Sequence, residues 1–470
     1  MIKIDLEEAW QLDASALLVA YAAGTLDPLG VFDLYLSRIE RLDPTLNAFV
    51  ALSPTARSEA EASAERWRQS MPIGPLDGVP VAVKDNLAVA GMPATFGSGL
   101  YADYVPEADE LPIKRLRDAG AIVIGKTNTP EFAVEGFTHN ALFGTTRNPW
   151  NPELTPGGSS GGSVAAVAAG LAPIAVGTDG GGSARRPAGY TGLVGLKPGI
   201  GHVPRADGLP QVLLDFEVVG TFARTVRDIA LLDRVFAGAD RADPSSRRGP
   251  LTQPGDGPLK ILYVERLDGN VCDGEILTAV RKAADVFGRM GHTVMDGELP
   301  VDTKALADVW PMICDIGLSR ILATEPTMRE RAAEKYIGMA ERGASIPASD
   351  LLGIWETVWR IRREVSELFA SVDLVLMPSC AAMPWAADVP FPTEIDGTAV
   401  GPRGHAVYTG WVNAAGHPAI ALPCAVPEGA LPVGFQIIGD LGTEPLLLSL
   451  AAAYEEAASW HEVWPALAKS

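Results

Sequence analysis

The sequence predicts an α/β fold with a mixed, largely parallel central sheet covered by helices on both faces. Short β-branched runs alternate along the chain with segments whose apolar residues recur every three or four positions, and that alternation is the pattern of strands and covering helices. The strand-like runs are almost wholly apolar, as strands buried on both faces must be. The chain has 470 residues, 47% hydrophobic and 20% charged, enough to bury a large core without covalent staples.

Residues from about Leu6 to Arg66 are expected to be helical, on the spacing of Leu17, Leu18, Tyr21 and Ala22 and then of Val31, Leu34, Tyr35 and Ile39. Gly78 to Lys84 reads as a short strand ending in a lysine, and Leu111 to Ala119 as a helix feeding a second strand, Gly120 to Lys126. Ser163 to Ala169 reads as a buried helix, and Ile174 to Val176 as a strand entering a Gly-rich loop. Arg224 to Asp228 reads as a helix start. Leu259 to Val264, a helix around Glu275 to Met290, and His292 to Met295 form a βαβ-like unit. Val372 to Met377, Ala419 to Pro423 and Pro432 to Ile438 read as further strands, with a closing helix over Glu444 to Ala457. Ala239 to Gly257, rich in Asp, Arg, Pro and Gly, is the expected surface linker.

Thirty-eight Lys and Arg stand against 58 Asp and Glu, a formal net charge of −20. That balance argues against a nucleic-acid surface and against docking on anionic lipid. The four cysteines, Cys272, Cys314, Cys380 and Cys424, lack the spacing of a disulfide framework or zinc site and are expected to be reduced and mostly buried. The start, Met1 to Glu8, has no basic segment leading into an apolar run, and the longest apolar stretch, Val164 to Gly177, is about 14 residues and broken by Pro173, too short for a bilayer. A cytoplasmic location is the expectation.

Chemistry concentrates in two Gly-rich loops, Pro156 to Ser163 and Gly177 to Arg185. Glycines this dense cost backbone entropy and are kept where the chain turns tightly or approaches a ligand. The run Gly180-Gly181-Gly182-Ser183 can aim successive N–H groups into one concavity, a nest for an oxyanion, with a hydroxyl at its end. A serine needs a base, and no histidine lies within or beside either loop. Lys84 ends an otherwise apolar strand, and burial lowers a lysine's pKa until the neutral amine, a competent base, is populated.

These residues carry a family resemblance. Gly157-Gly158-Ser159-Ser160-Gly161-Gly162-Ser163 and Gly177-Thr178-Asp179-x-Gly181-Gly182-Ser183-x-Arg185-x-Pro187-Ala188 resemble the two halves of the amidase signature, with serines 159 and 183 spaced 24 positions apart as in that family. The likeness extends through Gly78 to Asp85, Gly125 to Asn128 with Glu131-Phe132, Gly195 to Pro198, Gly416 to Ala419 and Leu431 to Gly439. It is strong over about residues 74–228 and 410–455 and weak over 240–400. The resemblance implies one amidase signature domain over 1–470, with the weak stretch shaping the substrate pocket. It implies Ser183 as acylated nucleophile, Ser159 as bridging serine after a cis peptide bond, and Lys84 as general base. It implies an oxyanion hole from Gly180, Gly181, Gly182 and the Ser183 amide, with Ser160 in support. The implied reaction is hydrolysis of a small-molecule carboxamide, anilide or hydrazide, with no metal and no organic cofactor. A homodimer is the family expectation. Gly180 departs from the family, which usually has a side chain there, so the pocket beside the oxyanion hole is expected to be wider or the loop looser. Ala184 replaces a larger apolar residue.

Competing readings remain. Gly157 to Gly162 fits G-x-S-x-G centred on Ser159 or Ser160, the nucleophile elbow of an α/β-hydrolase esterase, with His292, His405, His417 or His461 as the partner. Ser160 is equally suited to cap the following helix. Asp179 and Arg185 are expected to pair structurally, and His417 to be structural. The amidase component of a tRNA-dependent amidotransferase resembles this chain, but that family usually has Asp-Glu-Phe where this chain has Thr129-Pro130-Glu131-Phe132. A non-catalytic scaffold is disfavoured by the intact triad. Trp310, Met312, Trp355, Trp359, Trp385 and Trp411 either line an aromatic pocket or pack the core, core packing being the commoner case.

Overall fold

The computed structural model describes residues 5–247, 249–253, 255, 257–427 and 429–470. Its strands are β1 (Phe49–Leu52), β2 (Pro80–Lys84), β3 (Ile122–Thr127), β4 (His139–Asn140), β5 (Gly144–Thr145), β6 (Ile174–Asp179), β7 (Val194–Lys197), β8 (Val218–Ala223), β9 (Lys260–Tyr263), β10 (Thr293–Asp296), β11 (Leu374–Pro378), β12 (Glu394–Ile395), β13 (Thr398–Ala399), β14 (Ala419–Pro423) and β15 (Gly434–Gly439). Eleven of them form one sheet in the order β1-β3-β2-β6-β8-β7-β14-β15-β11-β9-β10, while β4-β5 and β12-β13 are separate ribbons.

The helices are α1 (Ala14–Ala22), α2 (Pro28–Leu46), α3 (Ala56–Arg68), α4 (Leu111–Asp118), α5 (Gly161–Ala168), α6 (Arg185–Thr191), α7 (Val226–Phe236), α8 (Gly274–Arg289), α9 (Thr303–Thr324), α10 (Met328–Arg331), α11 (Glu334–Ala344), α12 (Ala348–Leu368), α13 (Gly410–Ala415) and α14 (Glu444–Ala457). Among the described residues no helix is long and apolar enough to cross a membrane.

The sheet is mixed, as expected, with helices on both faces. Its parallel pairings sit in the flanks, where β3, β2 and β6 run together, as do β11, β9 and β10. The middle, from β6 through β8, β7, β14 and β15 to β11, is antiparallel throughout. The parallel share is therefore lower than the sequence suggested: four of the ten neighbouring pairs in the large sheet are parallel and six antiparallel.

Strand alternation splits the interior into two cores. Val81, Val83, Ile174 and Val176 face one, beneath α4, α7, α8 and α14; Ala82, Ala175 and Phe222 face the other, beneath α2, α3 and α5.

Three strands of the large sheet escaped the sequence reading, β7 (Val194–Lys197) among them. Phe49–Leu52, expected to be helical, is an edge strand antiparallel to β3. Val218–Ala223 was hidden by Gly220 in its middle, a residue that weakens a strand signal. A Cβ there would come within 2.9 Å of the Ala184 Cβ, so the glycine lets the sheet press against the second Gly-rich loop. In the expected linker, Arg248, Pro254 and Asp256 lie outside the described residues; the rest is mostly exposed, with one short 3-10 turn at Pro244–Ser246.

Candidate active site

The parallel register of β2 and β6 pairs Val83 with Val176 and so carries Lys84 to the end of β6, where the second Gly-rich loop departs. The first loop arrives on the α5 side and ends at Ser160, immediately before that helix. Gly177 makes room for it: a Cβ there would stand 2.8 Å from the Ser160 Oγ.

Lys84 is fully buried. Its Nζ donates to the Ser159 Oγ at 2.7 Å and to the Thr178 Oγ1 at 3.0 Å. Asn86 Nδ2 donates to the same Thr178 oxygen at 2.9 Å. Burial pulls the Lys84 ammonium down from 10.5 to about 7; Glu217 and Asp179 oppose the shift and Arg205 adds to it. The neutral amine is therefore well populated near pH 7. Lys126, the neighbouring buried lysine, has a different set of partners: it donates to the carbonyls of Leu87 and Pro93 and stands 3.5 Å from Asp85. Of these two lysines, Lys84 is the one aimed at hydroxyls.

The Gly158–Ser159 peptide is cis, as the resemblance implied. Ser160 begins α5 but its hydroxyl does not cap the helix. It donates to the Thr178 carbonyl at 3.1 Å, bracing the second loop against the first. The Gly161 amide is met instead by the Thr138 Oγ1, at 3.1 Å.

Asp179 organises the second loop. Its carboxylate accepts from the Arg185 Nε and Nη2, each at 3.0 Å, from the Asn413 Nδ2 at 2.9 Å, and from the amides of Gly182 at 2.7 Å and Ala184 at 3.1 Å. Burial raises a carboxyl's pKa, but the Arg185 charge and these donors outweigh it and hold Asp179 well below the usual carboxylate range. The expected Asp179–Arg185 pair is thus present, and Gln436 and Asn413 extend it.

One expectation needs correcting. The Gly182 amide is committed to Asp179, so in this structure it cannot also serve an oxyanion. The amides of Gly180, Gly181 and Ser183 have no such partner among the described residues. Gly182 is needed for another reason: its φ is +112°, and a Cβ would meet the Thr409 Oγ1 at 2.2 Å and the Arg186 Nη1 at 2.3 Å. Gly180 does not widen the pocket, because the Leu213 Cδ1 fills the space 2.6 Å from where its Cβ would be.

Ser183 is 7% exposed and opens onto a cavity of about 180 Å³ shared with Gly181, Arg186, Trp310, Arg403 and His405. Its hydroxyl has no hydrogen-bond partner among the described residues. Lys84 and Ser159 are thus in contact, while the Ser159–Ser183 link is not closed by a hydrogen bond. Catalytic hydrogen bonds are often long in a free enzyme and tighten with substrate.

None of the four histidines offered for the esterase reading bonds either candidate serine. His292 accepts from the Leu259 amide, His417 contacts the Ala415 carbonyl, His461 contacts Ser459, and both ring nitrogens of His405 lack partners. Of the six aromatic-pocket candidates, only Trp310 lines the cavity with Ser183. Trp411 is core, Trp385 packs against Tyr190 and His405, and Trp359 is 56% exposed. All four cysteines are free and buried. Among the described residues no group of three or more His, Cys, Asp or Glu side chains is arranged to hold a metal ion.

Sequence reasoning passed over Thr178 and Asn86, which orient the lysine, and Arg186, Thr409 and Asn413, which hold the loop. Thr178 lay inside the Gly-rich segment and was legible there. Thr409 and Asn413 come from the distant α13 region and carry no local signal.

The family model described as Amidase matches residues 31–448. The A subunit of the glutamyl-tRNA(Gln) amidotransferase of Thermus thermophilus is 37% identical over 464 residues, covering 93% of this chain and 95% of its own. The corresponding A subunit of Picosynechococcus sp. is 34% identical over 469 residues, covering 92% and 95%. A bacterial aryl acylamidase of the amidase signature enzymes superposes with a TM-score of 0.88 at 30% identity, over 96% of this chain and 97% of that one. A 6-aminohexanoate cyclic dimer hydrolase complexed with substrate gives 0.87 at 27% identity, over 99% and 100%. The matched span includes Lys84, both Gly-rich loops and the α13 residues that brace them, and the chain belongs to the amidase family, the amidase signature enzymes.

Proposed function

We propose that this amidohydrolase cleaves the C–N bond of a small-molecule carboxamide, anilide or hydrazide through an acyl-enzyme on Ser183, releasing carboxylate and amine or ammonia. The observation that carries the reading is the buried Lys84 amine, near neutrality, held 2.7 Å from the Ser159 hydroxyl at the foot of the loop that bears Ser183. In the first step Lys84 takes the Ser159 proton, Ser159 takes the Ser183 proton, and the Ser183 Oγ attacks the carbonyl carbon. Negative charge on the carbonyl oxygen falls to the amides of Gly180, Gly181 and Ser183. The C–N bond breaks as the proton returns through Ser159 to the leaving nitrogen. Water, deprotonated by the same relay, then attacks the ester and frees Ser183.

Purified protein is expected to release amine from simple amides or anilides unaided, and Ser183→Ala to abolish that release while remaining folded. Ordinary turnover by Ser183→Ala refutes the assignment.

A second reading is supported by the two curated relatives, both amidotransferase A subunits. In that case the chain hydrolyses an amide inside a larger complex. Thr129-Pro130 in place of Asp, together with the net charge of −20, weighs against it. Robust activity on simple amides without partners excludes it as the main role; activity that appears only with added partner proteins favours it.

A further inference from the structure

The cavity at Ser183 carries charge of the opposite sign to the rest of the molecule. Arg186, Lys335 and Arg403 line it against a single carboxylate, Glu135, in a chain whose net charge is −20. Glu135 is already paired with Lys335 and also accepts from the Tyr336 hydroxyl. Arg186 and Arg403 have no carboxylate partner among the described residues.

Three groups in this cavity have donors to spare. Arg186 uses Nη1 on the Gly181 carbonyl and the Thr409 Oγ1, but its buried Nε has no partner. His405 is buried with both ring nitrogens unpartnered, and burial together with Arg186 and Arg403 holds it neutral, one nitrogen donating and the other accepting. Arg403 is exposed at the rim, and its guanidinium has no hydrogen-bond partner among the described residues; its Cζ sits 4.4 Å from the centre of the Trp310 ring. The same indole lies against the oxyanion loop, since a Cβ on Gly181 would be 2.7 Å from Trp310 Cζ2. One indole therefore joins the free guanidinium to the loop where the scissile carbonyl would rest. A stacked arginine can simply cover apolar surface. That reading leaves the Arg186 Nε and His405 unexplained, whereas buried polar groups are normally satisfied.

We infer that the substrate is an amide that also carries a carboxylate, and that Arg403 is the specificity-determining residue that receives it, with Arg186 Nε and His405 completing the polar wall. The inference rests on the amidase reading of Ser183 and deepens it by naming the substrate class. A planar guanidinium stacked on a ring presents its fork to a carboxylate in a fixed orientation. The cavity, about 180 Å³ against the roughly 300 Å³ or more of typical drug-sized sites, fits a short spacer between the carboxylate and the amide.

The test is a pair of substrate comparisons. With the carboxylate on the acyl side, glutaryl-p-nitroanilide is compared with butyryl-p-nitroanilide; with it on the amine side, the butyramide of 4-aminobenzoate is compared with butyranilide. In at least one pair the anionic substrate is expected to have the higher kcat/KM by about tenfold or more, as charge-assisted hydrogen bonds supply. Arg403→Gln should collapse that ratio, mainly through KM, and Arg403→Lys should restore part of it. Added salt should shrink the wild-type ratio, because the rim is exposed. A ratio near or below one in both pairs, or a ratio unchanged in Arg403→Gln, overturns the inference while leaving the amidase reading intact. If no amide is cleaved, the amidase reading fails separately. Binding is then read by calorimetry of glutaryl-p-nitroanilide on Ser183→Ala: affinity at least about tenfold weaker in the Arg403→Gln double variant supports the carboxylate site, and equal affinity or no binding overturns it.

Discussion

The cavity around Ser183 has two walls of different character. Behind one, formed by the second Gly-rich loop, lies a dense hydrogen-bond network: Lys84, Ser159, Thr178, Asp179 and Arg185 are all buried and all have protein partners, while the Ser183 hydroxyl at its edge is left for substrate. The other, made of α9, α11 and the segment around Arg403 and His405, has polar groups left over. The saturated wall fixes geometry for the bond-breaking step, which needs groups held in place before substrate arrives. The unsaturated wall has room for a ligand to supply what is missing. Chemistry and specificity are thus assigned to opposite sides of one small space.

The contrast is broken most severely at the nucleophile. Ser183→Ala is expected to cut kcat by roughly 10,000-fold, measured by amine release, while leaving the urea midpoint close to that of the parent. Lys84→Met should follow, with a loss of roughly 1,000-fold, the scale of general acid–base catalysis.

The same lysine sets a pH dependence in the parent enzyme. Because the neutral amine is the active form and titrates at about 7, kcat/KM should climb as pH rises through 7 and fall below it. A flat profile between pH 5 and 8 contradicts this assignment. Stability should follow in a higher window. Between about 7 and 10.5 the unfolded chain still holds the proton that the folded chain has released, so Lys84 makes folding more favourable as pH rises through that range.

Asp179→Ala probes the saturated wall as structure. It strips the fully buried Arg185 of its carboxylate and should cost about 3–5 kcal/mol of stability by denaturant unfolding, besides loosening the loop that carries Ser183. At the small end, Trp359→Ala should change stability by less than about 0.5 kcal/mol, because the side chain is 56% exposed and lies off the cavity. A large effect there would mean that the variable region contributes to the core more than its exposure indicates.

The two walls also differed in how far they could be read from sequence. Gly182 and Ser183 sit in a contiguous loop whose glycines are demanded by close contacts, so composition exposes them directly. Lys84 stood out because a lysine closing an apolar strand is anomalous. The strands flanking these loops, β2, β3 and β6, were legible for the same reason, as was the C-terminal helix α14. The allocation of amides was not legible: only the fold reveals that the Asp179 carboxylate takes the Gly182 N–H. The opposite wall left little trace. Trp310, Lys335 and Arg403 are widely separated in the chain, and each alone resembles an ordinary helix or surface residue. Pro311 sits inside α9 and masks that helix's periodicity. Assembly of that wall depends on tertiary packing between helices, which a linear pattern does not encode.

The most direct trial of the central claim is to quench the enzyme during turnover of a p-nitroanilide and map the acylated peptide by mass spectrometry. The account predicts a single acyl adduct on the peptide containing Ser183, formed in the parent and absent from Lys84→Met at pH 7. An adduct on Ser159 or Ser160, or turnover with no adduct when acylation is faster than deacylation, would contradict it.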